Sequence, residues 1–283
     1  MTAGFVTRFA PSPTGYLHRG HAFSALTASE AARSQHGRFL LRIEDIDRTR
    51  CRPEYEAAIF EDLAWLGLEW ETPVRRQSDH MEDYGRALRE LAERGLLYRC
   101  FKTRREIAEA IESAPHGAME AFRGAPLPPD EEERRIESGE PYAWRLSLDH
   151  AERVLGGFGD LAFQEEGRGP AGEHGLIQAR PELGGDVVLA RKDVGVAYHL
   201  AVVVDDALQA ITQVIRGQDL FEAAHVQRLL QALLGLPEPV YRHHRLLTSP
   251  AGRRLAKRDR AETLRELRAR GVTAEALRAE LGF

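Results

Sequence analysis

Two histidines three positions apart, His18 and His21, are the side chains in this sequence best placed by type to act on a charged ligand. They end the stretch Arg8-Phe9-Ala10-Pro11-Ser12-Pro13-Thr14-Gly15-Tyr16-Leu17-His18-Arg19-Gly20-His21. Imidazoles in such a place can meet charge developing on phosphate oxygens. Gly20, between them, lets the backbone approach a flat or bulky ligand closely. A bare His-x-Gly-His is weak by itself, and a surface turn with two solvated histidines would read the same way. Further along, Glu44 follows an apolar run and is a candidate partner for an ammonium group; Asp45 and Asp47 beside it could equally be structural caps. Arg216 stands near the end of another apolar run, and Lys257 lies in a basic stretch, 246–258.

The elements that must hold these groups can be read from pattern. Residues 5–9 alternate as a short strand does, and Pro11, Pro13 and Gly15 then force a turn. From Ala22 to about Gln35 the residues suit a helix that Gly37 can end. A strand, a rigid turn and a helix N-terminus together make an anion-binding geometry, because unpaired amides and the helix dipole converge on one spot. Arg38 to Ile43 is predicted as a buried strand, so Glu44 falls just past its carboxyl end, where open α/β sheets bind ligands. Pro53 opens a helix whose face Tyr55, Ile59, Leu63 and Leu66 is core, and Ser78 is read as the N-cap of a helix that Gly95 ends.

Strand and helix alternate to about Arg99, as in one half of a doubly wound parallel sheet. Residues 100–185 break the pattern and are predicted to be an inserted domain, with a strand near 142–148 and a solvated acidic linker near 126–133. The α/β pattern returns over 186–238, with strands expected at 198–206 and 211–220, the first ending in two carboxylates. Residues 239–283 hold the basic loop and one or two short helices broken at Gly271.

A chain of 283 residues can bury an ample core, and 43% hydrophobic with 29% charged residues is an ordinary soluble composition. No apolar run reaches the roughly 20 residues of a membrane span, and no leader segment is read at the N-terminus. Two cysteines, Cys51 and Cys100, make no disulfide framework, which suggests a reducing, cytoplasmic setting. A net charge of −5 argues against a non-specific nucleic-acid binder, yet arginines crowd 242–278. A solvated helical face paired with Glu262 and Glu266 would account for them equally well.

Taken whole, the fourteen residues from Arg8 to His21 resemble the ATP site of class I aminoacyl-tRNA synthetases of the glutamyl/glutaminyl branch. The resemblance covers nearly all of the chain. It implies an α/β fold, a Rossmann-type doubly wound parallel sheet with an inserted α+β domain and a short C-terminal helical segment. By the same resemblance Arg8, Ser12, Glu44, Tyr198 and Arg216 bind glutamate, whose two carboxylates and one ammonium they complement. ATP, with Mg²⁺, would be held by Pro11, Thr14, Gly15, His18, Gly20, His21, Arg254, Leu255, Lys257 and Arg258. His18, His21 and Lys257 would be catalytic. The stretch 246–258 resembles the mobile Lys-Met-Ser-Lys-Ser loop, with Lys257 at the second lysine, Arg254 at the first and Ala256 in place of the serine.

Many relatives hold zinc in the insertion through a Cys-x-Cys pair and a later cysteine. Here Lys102 takes the second position and no later cysteine exists, so no zinc and no other metal site is expected. About 25 residues follow the loop, too few for the helical region that reads the anticodon. Such a catalytic half resembles the truncated glutamyl paralogues, which form a glutamyl-adenylate and transfer glutamate to queuosine at the wobble position of tRNA(Asp). A short synthetase charging a tRNA 3′ end, a non-catalytic RNA-binding paralogue and another nucleotidylyltransferase are the competing readings. A monomer without membrane attachment is expected.

Overall fold

The computed structural model describes residues 4–112, 121–191, 195–247 and 262–283. In chain order its elements are β1 (Val6–Phe9), α1 (Arg19–Ser34), β2 (Arg38–Ile43), α2 (Pro53–Trp65), β3 (Arg75–Arg76), α3 (Met81–Glu93) and β4 (Leu97–Cys100). There follow α4 (Arg104–Glu112), α5 (Pro129–Glu137), β5 (Ala143–Leu146), α6 (Leu148–Leu155), β6 (Ala162–Glu165), β7 (Gly175–Gln178), β8 (Val188–Arg191) and β9 (Gly195–Val196). The chain ends with α7 (Tyr198–Leu208), β10 (Gln213–Gly217), α8 (Phe221–Leu234), β11 (Val240–His244), α9 (Leu264–Ala269) and α10 (Ala274–Leu281).

β3, β2 and β1 run parallel, and so do β10, β11 and β6, with β7 closing that edge antiparallel. Thr212 joins the two groups: its amide donates to the Val6 carbonyl at 2.9 Å, and the Val6 amide donates to its hydroxyl at 2.8 Å. β1 and β10 are therefore neighbours. The chain leaves β1 in one direction and returns on its other side, which puts a topological switch point, the usual ligand crevice, at their carboxyl ends.

Both faces of this sheet are covered, and the strands show it by alternation. Leu40 and Val214 pack with Tyr84, Leu200 and Leu229 of α3, α7 and α8. Leu41, Ile43 and Ile215 pack on the other face with Ala25, Ile59, Leu267 and Leu277 of α1, α2, α9 and α10. Alanines 22, 25, 28, 31 and 32 form most of the buried side of α1, and such small residues let the helix lie close to the strands that carry the site. The second sheet, β4-β5-β8-β9, is antiparallel throughout. It takes β4, which ends at Cys100, and β8 and β9 from after 186, whereas β6 and β7, within 100–185, join β11 of the main sheet.

Three local expectations are corrected. Residues 198–206 are helix, not strand. The valine run Val202–Val204 reads as β, but every residue from Leu200 to Asp206 is buried, and a helix enclosed on all sides has no polar face to betray its period. Ser78 does not cap α3. It sits in the 3₁₀ turn Gln77–His80, where its hydroxyl and amide donate to the Asp45 carboxylate at 2.6 and 2.8 Å. The acidic stretch is solvated but is not merely a linker: Pro129 opens α5, and Asp130, Glu131 and Glu132 occupy the first turn, where the helix dipole favours negative charge.

Candidate active site

The turn after β1 delivers His18 to the N-cap of α1. Its Nδ1 accepts the Gly20 amide at 3.0 Å, and the Nδ1 of His21 accepts the His18 amide at 3.1 Å, a reciprocal box built from two imidazoles. The ring centroids lie 3.8 Å apart. A ring whose Nδ1 accepts an amide hydrogen carries its own proton on Nε2 when neutral. Both histidines therefore present Nε2–H donors at a helix N-terminus. Glycine is required between them, since a Cβ at position 20 would lie 2.9 Å from His18 Cε1.

This turn forms one wall of a cleft of about 530 Å³ at the carboxyl ends of β1, β2 and β10. Arg8, Ser12, Glu44, Tyr198 and Arg216, five residues scattered over more than two hundred positions, all line it, as do Pro11, Thr14, His18, Gly20 and His21. Gly15 belongs to the same turn but is not part of the lining. Phe23, Ser24, His244 and Leu247 also line it, none of them anticipated from sequence. Lys257, Arg254, Leu255 and Arg258 lie outside the described residues. The described flanks of their loop both reach the site: Leu247 lines the cleft, and Leu264 donates its amide to the Leu17 carbonyl at 2.8 Å, beside an antiparallel bridge between Thr263 and His18.

The arginines are not alone. Arg8 gives Nε and one terminal nitrogen to Asp206, at 3.0 and 3.3 Å. Asp206 also takes Arg42 at 2.7 Å, and Arg42 in turn reaches Glu44 at 3.1 Å and Gln209 at 2.9 Å. Asp205, the adjacent residue on α7, lies 3.6 Å from Arg42 Nε but accepts its hydrogen bonds elsewhere: from Arg75 at 2.7 Å, Gln77 at 2.8 Å and the Tyr84 hydroxyl at 2.9 Å. Burial raises the Glu44 pKa despite the guanidiniums of Arg42 and Arg8 beside it. Burial works the same way on Asp206, but there the two arginines win and its pKa is lowered. At Glu44, which lines the cleft, burial thus outweighs two guanidinium neighbours.

Arg216 is held on the opposite side. Its Nε donates to His243 Nε2 at 3.0 Å and one terminal nitrogen to Gln227 at 2.8 Å, while the other terminal nitrogen is buried with no protein partner. A buried guanidinium nitrogen without an acceptor is a strong pointer to an anionic ligand. Sequence reasoning missed Arg42, Gln227 and His243, and it saw Asp206 only as one of a pair of carboxylates, not as the partner of Arg8 and Arg42. For Arg42 a signal existed: an arginine inside an apolar strand must have buried partners.

A second cleft of about 870 Å³ adjoins the first and shares Ser12, Thr14, Glu44 and Tyr198 with it. Among the described residues no group of three or more His, Cys, Asp and Glu is placed to hold a metal ion, and Cys100 packs with Tyr98 and Phe122. No helix of the described residues is long and apolar enough to cross a membrane.

A doubly wound sheet with two capping histidines at its switch point and a charged pocket beside them is an α/β core with a ligand cleft at the switch point. The chain belongs to the tRNA synthetases class I (E and Q), whose catalytic domain matches residues 5–282, and it is a ligase. It is 48% identical to the glutamyl-Q tRNA(Asp) synthetase of Rhodobacter capsulatus, over 98% of this chain and 100% of that one. It is 40% identical to the enzyme of the same name from Symbiobacterium thermophilum, over 98% and 85% of the two chains. Among solved structures, a glutamate tRNA ligase from Elizabethkingia meningosepticum in complex with its amino acid superposes with a TM-score of 0.73 at 28% identity. The superposition covers 91% of this chain and 52% of that one, so this chain spans about half the length of the ligase.

Proposed function

We propose that the chain activates L-glutamate with ATP and transfers it to queuosine in tRNA(Asp). The observation that carries the reading is the cleft in which Arg8, Ser12, Glu44, Tyr198 and Arg216 surround one space beside His18 and His21. In the first step a glutamate carboxylate oxygen attacks the α-phosphorus of ATP, pyrophosphate leaves and a glutamyl-adenylate remains. The Nε2–H groups of His18 and His21 donate to phosphate oxygens as charge builds on them, and Glu44 receives the substrate ammonium. In the second step an acceptor hydroxyl attacks the acyl carbon and AMP leaves. The second cleft, which shares Ser12, Thr14, Glu44 and Tyr198 with the first, is the route we assign to that hydroxyl. Lys257 keeps, by resemblance, the role of neutralising pyrophosphate. Magnesium would arrive with the nucleotide, bound chiefly by phosphates and water.

The test is mass spectrometry of anticodon fragments after queuosine-containing tRNA(Asp) is incubated with glutamate and ATP. A glutamyl adduct on the queuosine nucleoside is expected; glutamate found at the 3′ end of tRNA(Glu) instead would reject the acceptor.

Amino-acid choice gives a separate prediction. Glutamine would leave the open nitrogen of Arg216, or the remaining edge of Arg8, without an anion. Leaving one member of a buried charge pair unpartnered costs roughly 2–5 kcal/mol. Glutamate should therefore outpace glutamine by about 30-fold or more in ATP–pyrophosphate exchange. Comparable kcat/KM for the two amino acids would show that the pocket reads something else.

A further inference from the structure

We propose that His243, its tautomer set by Glu165, is the positioning residue that holds Arg216 ready for a substrate carboxylate. The three side chains come from three adjacent strands of the main sheet, β6, β11 and β10. All are buried: Glu165 at 0%, His243 at 2% and Arg216 at 5% exposure.

The hydrogen-bond inventory leaves one arrangement. A guanidinium has donors only, so the His243 Nε2 that lies 3.0 Å from Arg216 Nε must accept. The proton of the neutral ring is then on Nδ1, which lies 2.5 Å from Glu165 Oε2 and donates to it. An imidazolium, or the other tautomer, would set N–H against N–H at Arg216. Glu165 is itself held by backbone: its Oε1 accepts the His243 amide at 2.9 Å and the Gly167 amide at 2.7 Å. Gly167 can make that approach because it lacks a Cβ, which would lie 2.1 Å from the His243 carbonyl oxygen. The ring is clamped by stacking parallel to Tyr241, with an interplanar angle of 1°, and by the edge of Phe221.

The consequence falls on the guanidinium plane. His243 takes Nε and Gln227 takes one terminal nitrogen, so the plane is fixed at two points and the remaining terminal nitrogen, on a residue that lines the cleft, is left without a protein acceptor. A fork fixed in advance loses little rotamer freedom when it captures a carboxylate, which favours binding. Buried polar chains of this kind occur in plain structural roles too. What assigns this one a role in binding is its end, a donor that no protein group satisfies. Burial lowers the His243 pKa against the pull of Glu165, in keeping with the neutral ring that the geometry demands.

The role rests on glutamate being the ligand, and the experiment separates the two. ATP–pyrophosphate exchange is measured for wild type, His243→Phe, His243→Gln and Glu165→Gln, with KM taken separately for glutamate and ATP. Phenylalanine keeps a ring against Tyr241 but offers no acceptor; the glutamine carboxamide can accept from Arg216. The carboxamide at 165 can donate to Nδ1 and so permits the wrong tautomer of His243. Losing a hydrogen bond to a charged group predicts a glutamate KM raised roughly 10-fold or more in His243→Phe and Glu165→Gln. The ATP KM should stay within about two-fold, because only an effect well under the 1.4 kcal/mol of a tenfold change separates the substrates cleanly. His243→Gln should recover most of the loss. If His243→Phe does not fold, Glu165→Gln, which leaves the packing volume unchanged, decides alone. A wild-type glutamate KM in Glu165→Gln, or equal rises for both substrates, overturns the positioning role. Absence of exchange with glutamate in the wild-type protein overturns the functional reading and this role with it.

Discussion

Replacing Arg42 with alanine is expected to lower the thermal midpoint by roughly 6–20 °C, from a loss of about 3–5 kcal/mol at about 2–4 °C per kcal/mol. Arg42 is fully buried and lies within 3.6 Å of Asp205, within 3.1 Å of Glu44 and within 2.7 Å of Asp206. Without it those carboxylates keep Arg8 and Arg75 but lose their shared counter-charge. The net worth of a buried pair is small because desolvation offsets attraction; the penalty comes from removing one member alone. Stabilities of about 5–15 kcal/mol make such a loss a large fraction of the whole. Arg33→Ala is the control. Arg33 and Glu30 pair at 2.5 Å, but their side chains are 76% and 41% exposed, and pairs of that kind contribute about 0–1 kcal/mol. Circular dichroism melts of the two variants decide the matter: equal small shifts would show that the Arg42 network does not hold the sheet to α7.

Much of the architecture was legible because it is written locally. The proline-rich turn, the glycine before His21, the alternation over 5–9 and the apolar runs of β2 and β10 each act within a few residues, and the doubly wound core follows from their order. The C-terminal helices and their break at Gly271, with φ at 81°, were readable for the same reason. What was hidden depends on distant partners. Asp205 and Asp206 were visible as a pair, but not that they share Arg42 while one holds Tyr84 and the other Arg8, and Arg8 and Asp206 are 198 positions apart. The valines of α7 concealed a helix, since enclosure on every side erases the polar face that would reveal its period. His243 gave no sign, because two adjacent histidines in a strand say nothing until β6 brings Glu165 beside one of them. That Arg8, Ser12, Glu44, Tyr198 and Arg216 share one cleft is a matter of geometry; what the cleft binds is the proposal made above.

The two capping histidines allow their local structural role to be separated from their chemistry. In each, Nδ1 accepts a backbone amide, and the remaining ring donor is Nε2–H. The side-chain oxygen of asparagine stands close to where Nδ1 does, so His18→Asn and His21→Asn can keep the α1 cap while deleting the donor. Asparagine is also among the best N-cap residues, so little stability should be lost at position 18. If the imidazoles stabilise charge on the phosphates, each variant should slow glutamate-dependent pyrophosphate exchange by about 10²–10³-fold, as when one preorganised donor is removed elsewhere. The melting temperature should hardly move. Glutamine at either position reverses the logic: its amide can reach toward the Nε2 position but cannot accept at Nδ1, so some activity should return while α1 loses a cap worth roughly 0.5–2 kcal/mol. Asparagine variants that exchange at the wild-type rate would reduce both histidines to helix caps, and the phosphates would then have to be met by other groups at the α1 N-terminus.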